Sequence, residues 1–237
     1  MQKILTSIFL LFGLFFNILS AQAHTLWLEL AGNNKLHQLQ EVKIYFGEFS
    51  HAAPTPTAKW FSDLASVKVT VIAPDGTSSE IVERLQDSLC YKLYFKPSQV
   101  GVYQVSFSHE VKDVFKDMKI TYASLAFVNI ENVKQPKLTT GLENSKLEWI
   151  DTRKYKQFNY IEFNSLVKNG ILTTVKEGSG KENNNLSTND KGQVIVPKDF
   201  KGRYLIELTD VKAVENGVHN GKIYKNDFKQ FSFLLSI

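Results

Sequence analysis

The sequence predicts an all-β protein: two tandem β-sandwiches following a cleaved signal peptide. Three observations predict it. Apolar residues recur at period two in short runs rich in Val, Ile, Phe, Tyr and Thr, which is the pattern of strands with one buried face. The runs are separated by Gly, Pro, Asn and Asp at intervals of roughly ten residues, the spacing of a sandwich. A pair of similar segments, PSQVGVYQVSF at 97–107 and PKDFKGRYLIEL at 197–208, occurs once in each half. In both, a glycine permits the turn into the strand and a tyrosine begins its inward face.

Taken in order, the chain opens with Lys3 and an apolar run from 4 to 19, followed by Ala21-Gln22-Ala23. That is the charged, apolar and small-residue succession of a secretory signal, with cleavage expected after Ala23. His24 then becomes the first residue of the mature chain and carries its free α-amine. Strands are expected at 25–30, 41–46, 67–72, 90–95, 101–108 and 124–130. A second set is expected at 160–167, 171–175, 193–196, 202–209 and 229–235. APDG at 73–76 and NDKG at 189–192 are turn signals. Only 54–66 and 111–122 suggest short helices or irregular loops. The aperiodic, polar stretch ENVKQPKLTTGLENSK marks a linker, giving domains at 24–133 and 157–237 joined by 134–156. EGSGKENNNLSTNDKG at 177–192 reads as a hairpin loop.

Composition narrows the function. The chain has one cysteine, Cys90, so it has no internal disulfide, and the residue is expected to be a buried apolar filler. The formal charge of +4 falls to +3 once Lys3 is removed. Lys and Glu are interspersed, which argues against a nucleic-acid partner. No later run reaches the roughly 18 apolar residues of a spanning helix, so no direct membrane insertion is expected. The motifs of Ser or Cys nucleophiles, dinucleotide folds and phosphate loops are missing, so no enzyme activity is expected. Trp27, Trp60 and Trp149 are read as core residues.

His24 is the residue whose chemistry stands out. As a mature N-terminus its α-amine and imidazole Nδ1 can close a six-membered chelate on one metal ion. A further imidazole would complete a nitrogen set suited to Cu(II) or Ni(II). The α-amine has a reference pKa of about 7.7–8.0, so a metal displaces its proton readily near neutral pH. The ordinary alternative is that signal peptidase must cut before some residue. Against it, histidine occurs only five times, and the strand TLWLEL would fix a terminus that otherwise frays. His109, His219 and His51 are the candidate further ligands, all at strand ends or in loops. His37 ranks below them, and Glu29, on the opposite strand face from His24, is expected to face solvent.

These residues resemble those of a known family. The signal ending in Ala, the opening HTLWLEL, the PDG turn, the P-x-x-x-G-x-Y strand, TNDKGQVIVP, GRYLIEL and the closing VHNGKIYKNDFKQFSFLLSI are together similar to the periplasmic nickel/cobalt-uptake accessory proteins. The resemblance spans essentially the whole mature chain. It implies Ig-like and carboxypeptidase-regulatory-like β-domains, a periplasmic location, a bound transition metal (Ni, Co or Cu) and a membrane metal transporter as partner. Two other readings stay open on the residues alone. One is a metal-free envelope scaffold or adhesion module. The other is a copper enzyme built on an N-terminal histidine brace, which the single cysteine and the lack of a planar aromatic face disfavour.

Overall fold

A computed structural model of the chain describes residues 24–132, 146–149, 159–164, 171–180, 183–187, 190, 193–196 and 202–236. Among these the protein is all-β, with 3-10 turns and no α-helix. The expected strand 25–30 is β1 (Thr25–Ala31). It pairs antiparallel with β2 (Gln40–Glu48), with Thr25 opposite Gly47. In β2 buried Val42, Ile44 and Phe46 alternate with more exposed Glu41, Lys43 and Tyr45, as one covered face requires. A short β3 (Ala53–Pro54) adds to the end of β2.

The segment 54–66 contains 3-10 turns at Thr57–Lys59 and Leu64–Ser66. Next come β4 (Val69–Ile72), β5 (Ser78–Ile81), β6 (Arg84–Gln86), β7 (Cys90–Phe95), β8 (Gly101–Glu110) and β9 (Met118–Ile130). The turn expected at APDG joins β4 to β5. The Gly76 N–H bonds the Ala73 carbonyl, and Asp75 accepts from the Thr77 N–H. The second half supplies β10 (Lys146–Trp149), β11 (Asn159–Asn164), β12 (Ile171–Lys176), β13 (Asn183–Ser187), β14 (Gln193–Val196), β15 (Arg203–His219) and β16 (Lys222–Ser236). Strand β10 falls inside the interval read as a linker, and β13 inside the interval read as a loop. The two similar segments begin β8 and β15. Gly101 and Gly202 both have positive φ, and Tyr103 and Tyr204 are both buried.

Three sheets result among the described residues. One has the order β1-β2-β7-β6 with β3 attached, a second is β10-β11-β14, and the third has eight strands in the order β13-β12-β15-β16-β9-β8-β4-β5. The segments 24–133 and 157–237 each contribute four strands to this third sheet. They meet where β16 pairs parallel with β9, from Asn226 opposite Met118 to Phe233 opposite Leu125. The main core lies between the first and third sheets and is filled by Leu26, Leu28, Ile44, Leu93, Val105 and Phe107 among others. A smaller cluster of Trp27, Phe49, Val175 and Leu205 joins the first strand to the second half. Cys90 is 3% exposed, and burial pushes its thiol above the ordinary value, as expected of a structural filler.

Glu29 departs from expectation. Its carboxylate bonds the Arg203 guanidinium and accepts from the Trp27 indole N–H at 3.0 Å. The reason is that β1 is covered on both faces: Leu26 and Leu28 fill the main core, while Trp27 packs on the opposite side.

Candidate functional site

Among the described residues, the strand is buried from its first position, next to the expected mature terminus. His24 is exposed, and Thr25 beside it is 1% exposed. One edge of β1 bonds β2. The other would leave backbone donors and acceptors without partners in the interior, at the cost of about 1–3 kcal/mol for each unmade bond. Among the described residues no strand lies on that edge, and side chains of the eight-stranded sheet take its place. The Tyr122 hydroxyl donates to the His24 carbonyl (3.3 Å), the Ser232 hydroxyl to the Leu26 carbonyl (2.8 Å), and the Leu28 N–H to Ser124 Oγ (3.2 Å). The Gln230 amide donates to Thr25 Oγ1 (3.0 Å), and Thr25 Oγ1 donates to the Glu207 carboxylate.

The ladder explains why these five residues converge. Tyr122 lies opposite Gln230, and Ser124 opposite Ser232, across the parallel pair; Ser232 lies opposite Glu207 on β15. All five therefore stand on one face of the sheet, in two adjacent rows. Burial, and then the Glu207 charge, raises the Tyr122 phenol well above its ordinary value, so it remains a donor throughout the neutral range. The signal in the sequence was slight: polar residues at inward positions of strands, which alternation alone reads as exceptions.

The His24 ring rests on Phe46, with centroids 5.2 Å apart. Phe46 meets Tyr122 and Trp60 edge-on, and Trp60 meets Tyr91. Trp27 is buried as expected and Trp60 half-buried; the side chain of Trp149 lies outside the described residues.

The other candidate histidines each face a carboxylate. His109, on β8, is the cross-strand partner of Tyr122, and its Nε2 lies 3.2 Å from Asp63 Oδ1. His51 closes the 3-10 turn after β2, with Nδ1 3.1 Å from Glu48 Oε2 and 2.9 Å from Ser50 Oγ. His219 sits at the tip of the β15–β16 hairpin. There Nε2 donates to the Val111 carbonyl (2.8 Å), and Nδ1 lies 3.5 Å from Glu110. His37 occupies a turn with φ 59°.

His24 and His109 are thus linked through one residue, Tyr122. The register that sets Thr25 opposite Gly47 also brings Glu48, and with it His51, to the same end of β1 as His24. His219 is committed to the loop after β8. Among the described residues, no three His, Cys, Asp or Glu side chains form a group able to hold a metal ion. What the geometry offers is a single exposed imidazole at the start of a clamped strand. Any chelate there needs the α-amine that cleavage would create.

Asp63 supports His109 and carries a testable pH dependence. Burial opposes its ionisation. The Lys112 N–H at 2.9 Å and the His109 ring outweigh burial and hold the carboxyl below its ordinary value of 3.8. A carboxyl depressed in the folded state adds stability above its unfolded-state value, and that stability is lost as pH falls through the folded value. Asp63→Asn is therefore expected to flatten the fall in stability below pH 3.8. Urea midpoints of both proteins from neutral pH downward check this.

No known protein family, curated protein or solved structure matches this chain. Among the described residues, no helix is long and apolar enough to cross a membrane.

Proposed function

We propose that this is an exported periplasmic protein that captures a transition metal, Ni(II), Co(II) or Cu(II), through the mature N-terminal His24 and assists its uptake by a membrane transporter. The observation that carries the reading is the step from exposed His24 to buried Thr25, on a strand whose outer edge is fastened by side chains. His24 is the residue that the expected cleavage after Ala23 would make the terminus. Fixing the terminus removes the fraying that would weaken a chelate of amine and imidazole. The likeness of HTLWLEL to the opening of the nickel/cobalt-uptake accessory proteins supports the same function. In this reading the segments 24–133 and 157–237 are tandem sandwich units fused through β9 and β16.

The residues suit a nitrogen-seeking metal in part: His24 offers two donors to solvent, and a third must come from another imidazole. His109 is the best placed, because its neighbour Tyr122 also holds the His24 carbonyl, and a carboxylate behind an imidazole is the usual support of a metal ligand. The bound ion would act as cargo. Electron paramagnetic resonance of the Cu(II)-loaded mature protein tests the assignment. Three coordinating nitrogens are expected, falling to two in His109→Ala. Binding that His24→Ala leaves unchanged would overturn the reading and favour a metal-free envelope scaffold.

A further inference from the structure

We propose that a second copy of this chain pairs antiparallel with the outer edge of β15, centred on Val211. Strand β12 covers β15 only from Tyr204 to Glu207, where Lys176 to Thr173 lie opposite. Beyond that point β15 continues to His219, bonded on its inner side to β16, which β9 backs in turn from Asn226 onward. On the outer side no described strand accompanies it. Val211 is 53% exposed, and the side chains of Asp210 and Lys212 are 50% and 68% exposed. Among the described residues this stretch thus has no strand on its outer edge, and an edge of that kind is a template for another strand.

The sequence of the edge specifies which strand. Thr209-Asp210-Val211-Lys212-Ala213 is self-complementary about its centre. A two-fold antiparallel pairing sets Val211 against the second copy's Val211, Asp210 against its Lys212, and Thr209 against its Ala213. Asp210 and Lys212 share one face of β15, 3.2 Å apart. Pairing would place four charges of alternating sign on one face of the joined sheet and the two valines on the other. Opposite charges directly across a strand pair stabilise it, and like charges destabilise it. An edge lysine ordinarily guards against unrelated strands, but here it meets an aspartate when the incoming strand is its own copy. The irregularity between Ala213 and Gly217 ends the pairing there, so the contact is short and the dimer weak.

Sedimentation velocity over a concentration series up to about 0.1 mM, the weak end of specific association, tests this. A concentration-dependent dimer is expected. Asp210→Lys and Lys212→Asp, each setting like charges opposite one another, should weaken it by about tenfold or more. An equimolar mixture of the two variants should recover a heterodimer. The first variant carries lysine at both positions and the second aspartate at both, so every cross-strand pair between them joins opposite charges. Recovery also shows that both variants are folded. A one-chain mass at every concentration, a dimer indifferent to both substitutions, or a mixture that fails to recover would each overturn the proposal.

Discussion

Trp27→Ala is expected to remove about 3–5 kcal/mol of stability, the usual cost of truncating a large buried aromatic. Trp27 is 2% exposed, stacks on Tyr45 at 5.4 Å and meets Phe49 edge-on at 5.5 Å. On its far side it packs with Val175 and Leu205 from the second half of the chain. Its loss opens a cavity at the junction of β1, β12 and β15 that the surrounding strands, each held by a ladder, cannot collapse to fill. Its indole N–H also holds Glu29, which in turn holds Arg203. A whole domain is stable by about 5–15 kcal/mol, so this one truncation should bring the midpoint of urea unfolding down by about a fifth or more. A change below about 1 kcal/mol, the level of a surface substitution, would mean that the first strand does not join the second half through this residue.

The second large effect concerns the terminus itself. In the proposed mature protein, adding one residue ahead of His24 would convert its α-amine to an amide, which cannot serve as a neutral amine donor, and would leave every side chain in place. Altering a residue that merely supports a ligand costs about 10- to 100-fold in metal affinity. Losing a donor from the chelate is expected to exceed that range for Cu(II), the divalent ion that should bind most tightly. Competition titration against a chromophoric chelator measures it. The same extension should leave the unfolding midpoint unchanged, because His24 is exposed and its contributions to the fold are a carbonyl and a ring on Phe46. An affinity that survives the extension would assign the metal to side chains alone.

Much of the strand pattern is legible in the sequence. Strands at 90–95 and 193–196 fall on the residues that the alternation predicts, because a turn signal or proline bounds each. Several of the missed pieces share a cause. The outer half of β15, DVKAVENGVH, and the start of β16 are rich in charged and polar residues, since both faces are largely exposed there. Strands β5 and β6 are short and mostly polar because they lie at sheet edges. The parallel pairing of β16 with β9 is a contact between residues roughly a hundred positions apart, and local periodicity carries no information about it.

The candidate site divides in the same way. His24 is visible because an expected cleavage site and a rare residue coincide. The clamp of Tyr122, Ser124, Glu207, Gln230 and Ser232 is not, because it exists only once three strands align in register. The likeness of the two Gly-x-Tyr segments has a physical basis at each end: Gly101 at φ 130° and Gly202 at φ 103° adopt conformations that other residues resist. Tyr103 then accepts from the N–H groups of Ser98 and Gln99, locking the turn that precedes β8.

The most direct test of the central claim is the native intact mass of the untagged protein, exported with its own leader and measured with and without Ni(II), Co(II) or Cu(II). A chain that starts at His24 and gains one metal ion is expected. A chain that starts elsewhere, or one that starts at His24 and retains no metal, would contradict that claim.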